Sequence, residues 1–375
     1  MPASTDPLSV LFHAIMRDPP LLLAQEVRLQ NRLLRMLRRH LLLGSVAVRL
    51  DAAALRDAPT KLCDLLGAAR TYVVEYRRQL RWEVRQIAHA LHTLDVPVVL
   101  LKGAAYEFLG LPNARGRLVS DVDILVAKED LARVEQALLA NGWRGMKLDE
   151  YDQGYYREWM HELPPLQHRE RGTIVDVHHA ILPVTSRLKP DAGKMLAAAR
   201  PLPNTPFRVL SPEDMLLHAC VHLFHDGDLG NGLRELYDLH AMLDHFGAGE
   251  AFWPGLLARA AEQGLERPLY YALYHLSTQL AMDLPAEAAR ALREFSPPRG
   301  LRGLANAAMG EMLRPVTADE PGWKRQAAGE LLYIRSHWLR MPPLLLARHL
   351  LTKARKRRKT IQPGQDLARG RDVPE

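Results

Sequence analysis

Cysteine is scarce in this chain, with only Cys63 and Cys220 among 375 residues. Two cysteines cannot build the disulfide framework of a small secreted domain, so we expect a protein of the reducing cytoplasm. The sequence also lacks a long apolar run, and a transmembrane helix needs about 20 consecutive apolar residues. Residues 1–6 lack the basic stretch and apolar core of a signal peptide, so we expect none.

Excess charge is small as well. The chain carries 50 basic and 43 acidic residues, for a net charge of +7. Such a mild excess predicts no broad basic channel, which makes direct polymerisation of nucleic acid a less favoured function. Aromatic residues make up only 6%, but hydrophobic residues reach 47%. At this length the chain can bury a sizeable core and is expected to hold two or three domains.

Helical and strand patterns divide the chain into four parts. We expect an N-terminal helical region over 1–92, an α/β core over 93–205, a helical domain over 206–334 and an amphipathic, basic tail over 335–375. Residues 68–91 contain neither Gly nor Pro, which predicts one long helix, whereas breaks are expected at Pro19-Pro20 and near Gly44. The predicted fold class is α/β (α+β), with a small mixed sheet surrounded by N- and C-terminal helical regions.

Two carboxylates, Asp121 and Asp123, stand at the start of an apolar strand pattern that continues to Val126. Residues at i and i+2 of a strand lie on one face, so both side chains are expected to point the same way. Burying them without a partner is costly, and Mg²⁺ is usually held by one or two carboxylates plus substrate phosphates. The pattern predicts a site for Mg²⁺ or Mn²⁺; a solvated Asp-x-Asp loop is the alternative. Because uncompensated carboxylates repel each other, Asp123→Asn is expected to leave the metal-free protein at least as stable.

A phosphate-binding turn is predicted upstream of these aspartates. The strand pattern 96–101 ends at Lys102-Gly103, and residues 104–109 have the pattern of a helix start. Backbone N–H groups and the helix dipole at such a junction favour a bound phosphate. An ordinary turn at the end of a strand is the alternative interpretation.

A third carboxylate is predicted downstream. In the strand pattern 173–179, Asp176 and His178 share one face by the same period of two. Arg115 and Arg117 lie in a glycine-containing segment just before the paired aspartates. Three carboxylates, a glycine turn and basic residues would suffice for two-metal phosphoryl or nucleotidyl transfer. The alternative is that Asp176 only forms an ion pair with Arg115 or Arg117.

Residues from about 96 to 181 resemble the nucleotidyltransferase superfamily typified by DNA polymerase β and kanamycin nucleotidyltransferase. Within it, the chain is most similar to an uncharacterised bacterial nucleotidyltransferase-like family. The similarity extends into the helical segments 217–222 and 236–240. The motifs that carry it are Leu101-Lys102-Gly103, Arg115 or Arg117, Asp121-Val122-Asp123 and Asp176-Val177-His178.

This resemblance implies metal-dependent transfer of a nucleotidyl group from an NTP, with ATP as the expected donor, to an acceptor that the sequence does not identify. Asp121, Asp123 and Asp176 would hold Mg²⁺ or Mn²⁺. Asp176 would also draw the proton from the acceptor, and His178 is a further candidate site residue. The alternative is a non-catalytic scaffold or regulator that has kept the fold without the chemistry.

One departure from the superfamily pattern concerns phosphate binding. The superfamily usually has a serine after the glycine of the first strand, whereas Gly103 is followed by Ala104. Lys102 would replace the missing hydroxyl with a point charge on the phosphates. Arg115 or Arg117 would offset charge that develops on the leaving group.

The helical part offers weaker candidates. Ser211-Pro212 predicts a helix start with Ser211 as the N-cap. His218 and His222 stand at i and i+4 and could chelate zinc, but buried or hydrogen-bonded histidines are the favoured interpretation. Arg234 and Asp238 are predicted to form an ordinary helix-surface pair.

The C-terminal segment changes from apolar to basic. Residues 344–351 are mostly apolar, and residues 353–359 are rich in Lys and Arg. This pattern suits a reversible contact with an anionic membrane surface. The favoured alternative is a docked C-terminal helix followed by a disordered basic tail.

Overall fold

The N-terminal part of the protein is helical. The structure, a computed structural model, describes residues 6–146, 159–225, 229–319 and 322–342. Asp6 caps the first helix, because its carboxylate accepts hydrogen bonds from the backbone N–H groups of Leu8 and Ser9 at 3.3 and 3.2 Å. The first four helices are α1 (Pro7–Arg17), α2 (Val27–Arg39), α3 (Leu43–Ala47) and α4 (Thr60–Leu91).

A mixed seven-stranded sheet follows these helices. Its strands are β1 (Val99–Leu100), β2 (Asp121–Leu125), β3 (Trp143–Gly145), β4 (Leu166–His168), β5 (Ile174–His178), β6 (Arg200–Pro201) and β7 (Arg208–Val209). They lie in the order β3-β4-β5-β2-β1-β7-β6. The pairs β2–β5 and β1–β7 are parallel, and the other neighbours are antiparallel. The helices of this part are α5 (Lys102–Leu109), α6 (Leu131–Ala140) and α7 (Ala192–Ala198).

Helices also make up the rest of the described chain. Ser211 caps the first of them, since its hydroxyl accepts a hydrogen bond from the backbone N–H of Asp214 at 3.2 Å, which confirms the predicted helix start. These helices are α8 (Pro212–His225), α9 (Gly232–Phe246), α10 (Phe252–Glu262), α11 (Glu266–Gln279), α12 (Ala286–Glu294), α13 (Arg299–Leu313) and α14 (Trp323–Arg340).

Two apolar cores hold these elements together. The larger contains the inward residues of the central strands, such as Val122 and Val175, together with residues of the C-terminal helices such as Leu217. The smaller lies among the N-terminal helices and also takes in Leu233 of α9. Because Val122 faces the larger core, the alternating residues Asp121 and Asp123 lie on the other face of the sheet.

The fold class is confirmed, while one local prediction changes. The long helix α4 begins at Thr60 rather than at 68, and Gly67 lies inside it. The break expected near Gly44 is confirmed, because α2 ends at Arg39 and the chain turns at Leu41, with a φ of +55°, before α3 begins at Leu43. The four-part domain division stays a prediction.

Membrane contact is addressed only in part by the structure. Among the described residues, no helix combines the length and apolarity needed to cross a bilayer. The segment 344–359, predicted to contact an anionic surface, lies outside the described residues.

Candidate active site

The two central parallel strands bring the predicted carboxylates together. In the β2–β5 register, Asp123 lies opposite Asp176, and Asp121 lies opposite Ile174. Residues paired in this way project to the same face, so the predicted alternation is confirmed on both strands. The sheet therefore presents Asp121, Asp123 and Asp176 on one face, with His178 two residues further along it.

Asp123 is the most heavily engaged of these carboxylates. It is 4% exposed, and its Oδ1 lies 2.8 Å from the Lys102 Nζ and 3.0 Å from the His178 Nε2. Burial alone would raise the pKa of Asp123, but the Lys102 ammonium and the His178 hydrogen bond outweigh it and hold the pKa well below its usual value. Asp123 is therefore ionised at neutral pH.

Lys102 combines its contact with Asp123 with an unusual backbone conformation. It stands at the start of α5 with a φ of +44°, a left-handed value that is uncommon outside glycine. The Leu101 backbone N–H donates to the Asp123 carbonyl at 3.0 Å, which ties this turn to β2. At Gly103, a Cβ would come within 2.7 Å of the Val119 Cγ2, so a glycine is needed for this close packing. The predicted turn is thus built against the strand that carries the aspartates.

Asp176 has a different environment. Its Oδ1 is buried and has no hydrogen-bond partner among the described residues. Burial, and next to it the charge of Asp123, raise the pKa of Asp176 to about 7. A buried carboxylate oxygen without a donor, beside a second carboxylate, fits a cation that the protein does not itself supply. The alternative interpretation, an ion pair of Asp176 with Arg115 or Arg117, is not observed among the described contacts.

Two cavities meet at Lys102. One, of about 260 Å³, is lined by Asp121, Asp123 and Gly103, and the other, of about 640 Å³, is lined by Asp176 and His178. Lys102 lines both cavities. The carboxylate face is therefore accessible from two sides, with the Lys102 ammonium between them.

The two arginines predicted as phosphate-binding residues, Arg115 and Arg117, differ in their position relative to the 260 Å³ cavity. Arg117 lines the 260 Å³ cavity, where it forms an ion pair with Asp238, and its guanidinium lies over the Tyr106 ring at 5.4 Å from the centroid. Arg115 does not line that cavity. The pairing predicted for Arg234 and Asp238 on a helix surface is wrong, because Asp238 is only 7% exposed and its partner is Arg117.

A third cavity, of about 530 Å³, adjoins the smaller one and is strongly basic. The two cavities share Arg117, Arg234 and Asp238 in their walls. The third cavity also contains Arg115, and Arg17 and Arg49 reach it from the N-terminal helical region. Sequence patterns missed Arg17 and Arg49, since nothing in their local sequence indicates proximity to the aspartates. We call this cavity the arginine cavity.

The helical histidines are buried or hydrogen-bonded, as favoured from the sequence. His218 is 5% exposed and lines the cavity of Asp176. The His222 Nδ1 lies 3.0 Å from a Glu235 carboxylate oxygen. Burial would raise the pKa of Glu235, but His222 lowers it to about 2. The His225 Nε2 lies 3.0 Å from the Ser186 Oγ. These contacts stabilise α8 against its neighbours and do not require zinc.

Comparisons with known proteins complete this description. A family model described as an uncharacterised nucleotidyltransferase matches residues 28–280, which include every predicted site residue. Among solved structures, the chain is similar to an antigenic nucleotidyltransferase-like protein from Paracoccidioides brasiliensis. That similarity has 16% sequence identity, covers 56% of this chain and 95% of that chain, and has a TM-score of 0.30. No curated protein matches the chain.

Proposed function

Because the chain belongs to the uncharacterised nucleotidyltransferase family, we propose that it transfers a nucleotidyl group from an NTP to an acceptor. The observation that carries this proposal is the register of β2 and β5, in which Asp123 lies beside Asp176 on one face. Two adjacent carboxylates on central strands, with a lysine and a helix start next to them, match the needs of phosphoryl chemistry. ATP is the donor we propose to test first.

The carboxylates are assigned to metal binding and proton transfer. Asp121, Asp123 and Asp176 would hold Mg²⁺ or Mn²⁺, and the buried Asp176 Oδ1 without a donor is the feature that fits a cation. Neutralising charge on the phosphates is the chemistry that these ions supply when bound. Asp176 would accept the proton of the acceptor hydroxyl, so the acceptor would enter through the 640 Å³ cavity that Asp176 lines.

Phosphate binding is assigned to the opposite side of Lys102. The Lys102 ammonium lies at the wall of the 260 Å³ cavity beside Gly103 and the start of α5. That cavity continues into the arginine cavity through Arg117 and Arg234. Positive charge on both walls would favour a triphosphate over an uncharged molecule. The acceptor and the nucleotide would therefore approach the carboxylates from different sides.

A direct assay tests this proposal. Purified protein is incubated with each NTP in turn, with and without Mg²⁺ or Mn²⁺, and pyrophosphate release and transfer of labelled nucleotide are measured. We expect turnover that depends on the metal and that is abolished by Asp176→Asn. Asp57→Asn is the matched control, because Asp57 is an exposed aspartate in the turn before α4 and lines none of the three cavities described above. Turnover that persists in Asp176→Asn would contradict the assignment.

One observation favours a second candidate function, a non-catalytic scaffold. Lys102 and His178 already contact the Asp123 Oδ1. The protein itself therefore compensates part of the negative carboxylate charge that a metal ion would compensate. A scaffold of this kind would bind NTP equally well with and without Mg²⁺ and would release no pyrophosphate with any NTP. Binding measured by calorimetry in both conditions separates the two functions.

A further inference from the structure

A second group of ligand-type side chains lies on the other side of His178 from Asp123. His161, Glu162 and His178 each offer one ligand atom, and these atoms all lie within 4.8 Å of one another. The backbone fixes this arrangement, because Glu162 forms an antiparallel β-bridge with His178. The His179 N–H also donates to the His161 carbonyl at 2.8 Å. We call these three residues the histidine–glutamate cluster.

The spacing of the cluster suits a small transition-metal ion. The Glu162 Oε2 lies 3.2 Å from the His178 Nδ1 and 4.0 Å from the His161 Nε2. A tetrahedral ion with bonds of about 2.0–2.1 Å places its ligand atoms roughly 3.3–3.4 Å apart. The Glu162–His178 pair already has that spacing, and the other atoms, which lie within 4.8 Å, would have to move closer together on binding.

Asp123 orients the central ligand of the cluster. The His178 Nε2 lies 3.0 Å from the Asp123 Oδ1, so a proton on Nε2 is donated to this carboxylate. The Nδ1 then presents a lone pair to the Glu162 carboxylate, and two acceptors face each other without a proton between them. A cation between them removes this conflict, and a metal-bound histidine usually donates its other N–H to a carboxylate. An imidazolium protonated on both nitrogens would satisfy the same contacts, and metal titration distinguishes the two.

The His178 Nδ1 adds a second indication. It faces the Glu162 carboxylate at 3.2 Å and is buried without a hydrogen-bond partner among the described residues. Buried polar groups are normally satisfied, so this nitrogen beside two other ligand groups points to a missing component. The cluster also opens on the 640 Å³ cavity, which all three residues line.

We propose that His161, Glu162 and His178 bind one Zn²⁺ ion, with its fourth coordination position open to the cavity of Asp176. Two imidazoles and one carboxylate are a ligand set that zinc accepts with a fourth, exchangeable position, whereas Mg²⁺ prefers oxygen ligands. This site is separate from the one assigned to Asp121, Asp123 and Asp176. It does not depend on nucleotidyl transfer, since a protein without that activity would bind zinc in the same way.

Metal titration of the full chain tests the proposal. The protein is stripped with a chelator, saturated with Mg²⁺ to occupy oxygen sites, and titrated with Zn²⁺ and separately with Co²⁺. We expect one equivalent of tightly bound Zn²⁺, visible Co²⁺ absorption typical of four-coordination, and a higher unfolding temperature with Zn²⁺. His161→Gln and Glu162→Gln should each abolish the Co²⁺ absorption, and Asp123→Asn should weaken Zn²⁺ binding by about 10–100-fold.

Two controls make the result decisive. His179→Gln removes the adjacent histidine, which is not in the cluster, and Asp176→Asn removes a carboxylate of the neighbouring site. Both variants should retain one equivalent of Zn²⁺. If wild type binds no Zn²⁺ in Mg²⁺, or if Asp176→Asn loses the ion while His161→Gln keeps it, the proposed site is wrong. Because the readout is metal content and absorption, it is unaffected by whether any NTP is turned over.

Discussion

Lys102 and Asp123 form a buried ion pair, with 2.8 Å between Nζ and Oδ1, on the face that carries the other candidate carboxylates. The Lys102 side chain is 22% exposed and that of Asp123 is 6% exposed, so little water reaches the pair. Although burial opposes the charge on Lys102, the adjacent Asp123 raises the pKa of Lys102 above its ordinary value. Lys102 therefore keeps its positive charge at neutral pH. The charge of each buried partner is compensated by the charge of the other.

Lys102→Met should lower both stability and nucleotide affinity. Removing one partner of a buried pair leaves an uncompensated charge, which costs about 3–5 kcal/mol in the free energy of unfolding. Losing a charge-assisted hydrogen bond should weaken triphosphate binding by about 1–3 kcal/mol. Urea denaturation and calorimetry with ATP measure the two effects. Lys128→Met, at an exposed lysine, is the control. Equal losses for nucleoside and nucleotide would show that Lys102 has only a structural role.

Asp123→Asn and Asp176→Asn should change stability in opposite directions. The sequence predicted a metal-free Asp123→Asn protein at least as stable as wild type, and the pairing with Lys102 and His178 changes that expectation to a loss. Asp176→Asn removes a carboxylate that lacks a donor, so the variant should gain stability at neutral pH. Comparing the two variants by urea denaturation without metal checks this difference.

The gain in stability expected for Asp176→Asn should depend on pH. The pKa of Asp176 is raised from 3.8 to about 7 in the folded state, so above pH 4 the folded protein holds this proton more tightly than the unfolded chain. The stabilisation that this proton gives to the folded wild-type protein is therefore lost as pH rises from 4 to 7. The advantage of the variant should be larger at pH 8 than at pH 5, by about 1–3 kcal/mol. An advantage that is the same at both values would show that Asp176 titrates normally.

His275 should make the protein sensitive to acid. It is fully buried, and neither ring nitrogen has a hydrogen-bond partner among the described residues. Burial lowers the pKa of His275 to about 3, so below pH 6.5 the unfolded chain gains a proton that the folded protein does not. Between pH 7 and 5 this should cost about 2 kcal/mol of stability, and His275→Phe should remove that part of the loss. His92→Gln, at an exposed histidine, is the control variant.

Gly44→Ala should separate the N-terminal helices from the arginine cavity. A Cβ at Gly44 would lie 2.5 Å from the Gly116 carbonyl oxygen and 2.8 Å from the Val73 Cγ2. Relieving this overlap should cost about 1–3 kcal/mol of stability. ATP affinity should fall as well, because Gly116 lies between Arg115 and Arg117. Urea denaturation measures the change in stability, and calorimetry measures the change in ATP affinity.

Gly67→Ala is the matched control for that change. Gly67 lies inside α4, and a Cβ there would meet no atom within 4 Å. Alanine is the better helix former, so this variant should gain up to about 1 kcal/mol. A loss of stability in both variants would show that the α-helical region tolerates no added methyl group, and the specific role of the Gly44–Gly116 contact would then be unsupported.

Local sequence patterns predicted the carboxylate face but not its partners. Strand alternation is a property of neighbouring residues, so it placed Asp121 with Asp123, and the same period placed Asp176 with His178. The contact of Arg117 with Asp238 depends on how α9 packs on the segment before β2, and no local pattern encodes that packing. The wall contributed by Arg17 was missed for the same reason, since α1 reaches the cavity only through the tertiary fold.

The first helix, α1, contributes to the arginine cavity although it lies early in the chain. Arg17 of α1 lines the arginine cavity, and His13 Nδ1 of the same helix lies 2.6 Å from the Tyr237 hydroxyl on α9. Yet α1 lies before the segment 28–280 that the family model matches. Part of the wall of the arginine cavity thus comes from outside the matched segment, while the carboxylate strands lie inside it. Loss of α1 would remove Arg17 and the His13–Tyr237 contact from this cavity while leaving β2 and β5, which carry the carboxylates, in place.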